Sequence, residues 1–188
     1  FIYQDELFVS YGSNKGKNCF NWNISRANIN KNNLEFEDFY SSKECSSQNF
    51  YQPHGGRLQY YLHEDNPGIL ITIGHNSPTL EDKESIVGKI LFIPLNGNDL
   101  IEFSRGHRNT QGLFANNKVI LATEHGPRGG DEINKITLNS DYGWPIVSYG
   151  EPYGTKFEKP KFLKDHYSHG YKEPAYSFLK AIGISEII

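Results

Sequence analysis

The sequence predicts an all-β chain, and three observations carry that prediction. Aromatic side chains are abundant, with 12 Tyr and 12 Phe among 188 residues, and such residues pack well on a pleated, half-buried surface. No stretch sustains a 3.6-residue apolar period over three turns, as an amphipathic helix would. The order of short apolar runs and Gly- or Asn-rich turns also repeats, at an offset of about 45 to 55 residues, which suits a propeller blade rather than a solenoid coil.

Taken in order, 6–11 (ELFVSY) reads as a strand, the turn-rich GSNKGKN follows, and 19–24 reads as a second strand. In 34–40 (LEFEDFY) apolar and acidic residues alternate with period two, the pattern of a half-exposed strand. These make most of one blade, 1–42. The polar connector 41–53 carries Cys45 and delivers the chain to His54-Gly55-Gly56-Arg57. Strands at 58–62, 69–73, 89–95 and 100–103, joined by the turns HEDNPG and NGND and by the loop 74–84, give a second blade over 54–103. A third, 111–150, repeats the plan, with 112–114, 119–123 and 132–138 parallel to 56–58, 69–73 and 88–95. The tail 151–188, rich in Lys, Pro and aromatics, is expected to be a long loop leading to a next blade.

A net charge of −3 and a pI near 6.2, without a clustered basic stretch, argue against a nucleic-acid partner. The longest apolar runs, 68–73 and 89–95, fall far short of the roughly 20 residues that span a bilayer as a helix, so no membrane insertion is expected. Cys19 and Cys45 are compatible with one disulfide and equally with two separate thiols. A bridge closing about 25 residues would contribute on the order of 3 kcal/mol.

The chemistry is concentrated in 104–150. There the loop Glu124-His125-Gly126-Pro127-Arg128-Gly129-Gly130-Asp131-Glu132 follows a strand-like VILAT run and precedes an alternating one. Glycines let the backbone turn its carbonyls toward one point, and Pro127 fixes φ while offering only a carbonyl. Carbonyl oxygens with Asp131 and Glu132 are hard donors, suited to calcium rather than zinc. The same residues also read as a well-made hairpin loop with solvated charges. A zinc triad of His125, Glu124 and Asp131 is disfavoured, because adjacent turn residues rarely converge on one ion.

Three motifs in order, GHRNTQG (106–112), EHGPRGGDEIN (124–134) and YGWPIVSYGEPY (142–153), resemble the signature block of the soluble quinoprotein sugar dehydrogenases. These form the glucose/sorbosone dehydrogenase family of pyrroloquinoline quinone (PQQ) enzymes. The resemblance extends more weakly from about residue 6 to the end. It implies a six-bladed β-propeller roughly twice this length, so the chain is expected to be a fragment of about three blades, inactive by itself.

The resemblance also implies an activity: an aldose is oxidised at C1 to the lactone, with hydride passing to PQQ and electrons then to an external acceptor. A periplasmic or secreted location goes with it. His54, in an H-x-G-G/S-R-L pattern, corresponds to the general base that takes the C1 hydroxyl proton. Arg108 and Asn109 match the pair that contacts the quinone cofactor, whose carboxylates and quinone oxygens suit a guanidinium and an amide. Tyr153 falls at a cofactor-contacting tyrosine. The main-chain oxygens of Gly126 and Pro127 match those holding the catalytic Ca2+, and Glu132 with the Tyr142 carbonyl matches a second calcium position. Thr110 stands where the family pattern GHRNPQG has proline, which puts the aim of Asn109 in question. His107 and Gln111 are left outside the site because strand alternation would point them away, and Trp144 and Tyr149 are read as packing residues. The rival reading is a non-catalytic calcium-binding propeller that serves as an extracellular protein-binding module.

Overall fold

Period-two runs of β-branched and aromatic residues, closed by tight turns, become short strands in a computed structural model that describes residues 1–16, 19–43, 54–75, 85–97, 100–154 and 161–188. In chain order the first eight are β1 (Ile2–Tyr3), β2 (Glu6–Gly16), β3 (Cys19–Asn28), β4 (Glu37–Ser41), β5 (Gly55–His63), β6 (Asn66–Ile73), β7 (Lys89–Pro94) and β8 (Ile101–Arg105). They are followed by β9 (Thr110–Ala115), β10 (Ile120–Glu124), β11 (Asp131–Lys135), β12 (Ser140–Asp141) and β13 (Tyr176–Phe178). Three sheets result, ordered β1-β2-β3-β4, β12-β8-β7-β6-β5 and β13-β11-β10-β9. The all-β propeller architecture expected from the sequence is the one observed, with β5 of the middle sheet in contact with both β2 and β9.

The middle sheet shows how alternation builds this stack. In β6 and β7, Leu70, Ile90 and Phe92 join the core against the third sheet, with Phe103, Leu113 and Ala122. Their neighbours Ile69, Ile71, Ile73, Leu91 and Ile93 face the first sheet, where Phe8, Trp22 and Ile24 meet them. Adjacent residues thus enter opposite cores, and every residue of β7 is buried. Each fully buried aliphatic side chain contributes about 1.5 to 3 kcal/mol relative to exposure.

Three boundaries differ from the sequence expectation. The HEDNPG turn contracts to Glu64 and Asp65, both at positive φ of 48° and 63°, as a two-residue hairpin loop requires, and β6 accordingly begins at Asn66. Ser140–Asp141 leaves the third unit and pairs in parallel with β8, Ser140 opposite Ser104 and Asp141 opposite Arg105. The fourth strand of the third sheet comes from the tail expected to be loop: Asp131 pairs with Phe178 and Ile133 with Tyr176. Three residues are too few to show a period, yet the open edge of β11 offers unpaired N–H and C=O groups that the tail satisfies.

Polar contacts tie the sheets together near the strand starts. Ser10 Oγ donates to the Gly56 carbonyl at 2.5 Å, Arg57 Nε donates to the Gln111 carbonyl, and Arg57 Nη1 pairs with Glu186 at 2.9 Å. Cys19 is disulfide-bonded; Cys45 lies outside the described residues.

Candidate functional site

The site forms where the second and third sheets abut at the ends of their strands. His54 immediately precedes β5, and its carbonyl accepts a hydrogen bond from Gly74 N–H at 2.8 Å, just past the end of β6. The next residue, His75, donates its N–H to the Arg108 carbonyl at 2.5 Å. Gly74 is therefore wedged between the two: a Cβ there would lie 2.8 Å from His54 Cβ and 2.9 Å from the Arg108 oxygen. Only a glycine lets the imidazole-bearing and guanidinium-bearing segments come this close. Burial first, and the Arg108 charge second, hold the His54 imidazole below its usual range.

Arg108 is buried, and its Nη1 donates to the carbonyls of His125 at 2.8 Å and Gly126 at 3.0 Å. Its Cζ lies 5.3 Å from the Trp144 ring centroid and 5.9 Å from that of Tyr153, within cation–π range of both. Its Nε is buried with no hydrogen-bond partner among the described residues. Burial lowers its pKa, opposed by the Tyr153 and Glu124 charges. Asn109 is half-buried, its Oδ1 accepts from Gln111 Nε2 at 2.6 Å, and its carbonyl accepts from His125 N–H at 3.0 Å. Gln111, left outside the site by strand alternation, therefore orients the Asn109 amide. Thr110, in place of the family's proline, donates its hydroxyl to Glu124 Oε2 at 3.3 Å and is 1% exposed.

The glycine-rich loop closes on itself, since a Cβ on Gly126 would collide with the carbonyl oxygens of Gly129 and Gly130. The acidic residues around it divide into two kinds. Asp131 accepts from Gly126 N–H at 3.1 Å on one oxygen, and from the N–H groups of Ile182, Gly183 and Ile184 at 3.0, 2.8 and 3.4 Å on the other. Glu124 accepts from the Arg108 N–H on Oε1, and bonds His107 Nδ1 at 3.0 Å and Thr110 on Oε2. Both oxygens of each carboxylate thus already accept from protein donors.

Glu132 is the exception. It is buried, accepts a hydrogen bond from Asn134 Nδ2 at 3.3 Å, and has His166 Nε2 nearby at 3.9 Å, too far for a hydrogen bond. Burial, then the neighbouring Glu124 charge, pushes its carboxyl up to about 8. Together with Arg108, Gly126, Tyr142, Ser148 and His166 it lines a partly open cavity of about 10 Å³, the scale of one water or ion. Among the described residues no group of three His, Cys, Asp or Glu side chains could hold a metal. A cation there would need main-chain oxygens to complete its shell, and oxygen donors suit calcium.

The groups around Arg108 have a chemistry that suits an anionic ligand. The cup they form presents a buried guanidinium with an unpaired Nε, two aromatic faces and an imidazole at one rim. The Gly126 carbonyl, shared with Arg108, retains a second lone pair for a hard cation. Tyr153 reaches the cup while 55% exposed, whereas the Tyr142 ring is buried and stacks on His107 at 4.8 Å. Sequence reading missed Gly74, Glu124 and the supporting roles of Asp131, His107 and His166. Their partners lie on other strands, and no local spacing announces them.

Sheets stacked face to face, with a polar cup of loop residues at their ends, define part of a β-propeller. The profile of the glucose/sorbosone dehydrogenase family matches residues 1–188, and the chain belongs to that family. It is 32% identical over 149 residues to the aldose sugar dehydrogenase YliI of Escherichia coli K12, covering 70% of this chain and 38% of that protein. With quinoprotein glucose dehydrogenase B of Acinetobacter calcoaceticus it shares 33% identity over 113 residues, 50% of this chain and 24% of that one. The crystal structure of the soluble aldose sugar dehydrogenase from E. coli in its apo form superposes with a TM-score of 0.79 at 23% identity, over 97% of this chain and 56% of that one. The PQQ-bound aldose sugar dehydrogenase of Streptomyces coelicolor superposes with a TM-score of 0.56 at 21% identity, over 85% and 48%. The chain thus spans about half the length of these solved structures, and less of the two sequence relatives.

Proposed function

We propose that the protein carrying this chain is a PQQ- and calcium-dependent dehydrogenase that oxidises an aldose at C1 to its lactone. The observation that carries the reading is the meeting of His54 and Arg108 across Gly74, beside the Gly126 carbonyl and with the Arg108 Nε unpaired. Relatives named as aldose sugar and quinoprotein glucose dehydrogenases support it.

When bound, PQQ supplies the hydride acceptor and calcium the Lewis acidity that polarises it. This chain's residues do the rest. Arg108 offers Nε and Nη donors to carboxylate or quinone oxygens, with its plane held between Trp144 and Tyr153. Asn109, aimed by Gln111, adds an amide contact. The main-chain oxygens of Gly126 and Pro127 would hold the calcium, and Glu132 with the Tyr142 carbonyl would hold a second, structural one. His54, kept neutral at neutral pH by burial and by Arg108, takes the C1 hydroxyl proton on an imidazole nitrogen as the C1 hydride departs. Electrons then pass to an external acceptor. The bonded state of Cys19 favours an oxidising compartment, in line with a periplasmic or secreted protein. Among the described residues no helix is long and apolar enough to cross a membrane.

Reconstitution of the complete protein with PQQ and calcium, followed by dye reduction with a panel of aldoses, tests the proposal. Turnover that requires both additions is expected, and His54→Ala should abolish it while PQQ still binds. A PQQ spectrum unchanged by the protein would leave a non-catalytic binding propeller instead.

A further inference from the structure

Beside Arg108 lies a line of buried polar groups, Ser104, His107 and Glu124. Ser104 Oγ meets His107 Nε2 at 2.8 Å, and His107 Nδ1 meets Glu124 Oε2 at 3.0 Å. The order Ser–His–Glu is that of a hydrolase triad. However, Ser104 is 1% exposed and His107 0%, so no substrate reaches the hydroxyl, and a nucleophilic role is ruled out. The line ends instead at the turn that carries Arg108 and Asn109.

Glu124 is the hub. It sits at a register shift between Thr123 and Glu124 where β10 pairs with β9, and such a bulge re-aims a side chain. Its carboxylate gathers the Arg108 N–H, the His107 ring and the Thr110 hydroxyl. These three anchor points, at 107, 108 and 110, flank Asn109. The carboxylate fixes the proton of His107 on Nδ1, leaving Nε2 to accept from the Ser104 hydroxyl. His107 is further locked by its N–H on the Gly88 carbonyl at 3.0 Å and by the Tyr142 ring stacked at 26°. Thr110 adds a hydroxyl bond that a proline could not make.

We infer that Glu124 and His107 are positioning residues for the cofactor-contacting turn, with Thr110 as this chain's own addition to the set. Both fix the backbone from which the Arg108 guanidinium and the Asn109 amide are aimed. A guanidinium whose Nη1 rests on two carbonyls while Nε stays unpaired needs such a base, because a ligand engages it productively only if the turn does not swing. The inference rests on the cofactor reading above.

The test uses the complete protein and reads PQQ affinity in the presence of calcium, by quenching of tryptophan fluorescence, alongside kcat and KM for an aldose and thermal unfolding. Glu124→Gln should weaken PQQ binding about tenfold, the scale of lost outer partners of a site, with the sugar KM near wild type once PQQ saturates. His107→Leu should weaken it by a similar factor. His107→Asn, which keeps a donor toward Glu124, should recover most of the loss, and Thr110→Val should show a smaller weakening of the same kind. Wild-type PQQ affinity in folded Glu124→Gln overturns the inference. So does equal weakening in His107→Leu and His107→Asn, which would signal packing alone. If Glu124→Gln does not fold, the His107 pair decides by the same comparison. Wild-type protein that binds no PQQ would instead overturn the cofactor reading, and this inference with it.

Discussion

Glu124 and Asp131 stand at the two inner ends of one hairpin, β10 and β11, and both give their carboxylate oxygens to protein donors. They differ in what they hold. Glu124 gathers one main-chain and two side-chain donors from a turn 14 to 17 residues away. Asp131 gathers four main-chain N–H groups, three of them from residues 182–184, 51 to 53 positions along the chain. The first is a local brace for the Arg108 turn, and the second a long-range tie between the glycine-rich loop and the tail. Charge placed at adjacent strand ends can therefore serve aim in one case and cohesion in the other.

The largest break in this contrast is expected from Asp131→Ala. Four part-buried main-chain hydrogen bonds to one carboxylate would be lost, at a cost of about 3 kcal/mol in urea unfolding. Amide exchange should accelerate at 182–184 while the Arg108 amide stays protected; equal acceleration at both would erase the distinction. A somewhat smaller effect is expected at His75, which grips the Arg108 carbonyl from the second sheet and is held down to about 4 by burial. The unfolded chain takes up this proton near the usual 6.5, the folded chain only near 4. Stability present above pH 6.5 is thus lost as pH falls toward 4. Relative to His75→Asn, the wild type should lose on the order of 2 kcal/mol between neutral pH and the lower end of that window. Parallel pH profiles of the two proteins would refute the assignment.

Gly74→Ala ranks next. Its Cβ must push apart His54 and the Arg108 carbonyl, costing about 1 to 2 kcal/mol and lowering turnover through misalignment of the two sheets' contributions. Unaltered stability and turnover would show that the wedge is not tight. The smallest effect is a titration. Arg108→Gln removes the lesser cause of the depressed His54 pKa, so NMR should show the imidazole moving up toward its ordinary value but not reaching it, because burial remains. No upward movement would deny the proximity of the two side chains.

The sheets were legible because alternation leaves a local trace: 69–73 and 89–95 are strands in both accounts, and their two-faced burial follows from parity. Tyr176–Phe178 left no such trace, being three residues long and paired with β11 only through tertiary contact. The cup was legible through motif resemblance, which brought His54, Arg108, Asn109 and the Gly126 carbonyl onto the page from separate stretches. What holds them was not. Glu124 and Asp131 look alike in EHGPRGGDE, and only the positions of their donors separate brace from tie. Gly74 sits in an unremarkable loop, and its need for a bare Cα appears only when two other segments close on it.

Ser140–Asp141 has a wider meaning than its length suggests. A segment that comes after most of the third sheet is stitched, in parallel, onto the outer rim of the second. Neither sheet can then be peeled away without first unthreading the other. Pulled from the Ile188 end, the molecule should shed Tyr176–Phe178 first and afterwards yield the two sheets in a single cooperative step, the way a zip with an overlapping tooth releases both sides at once.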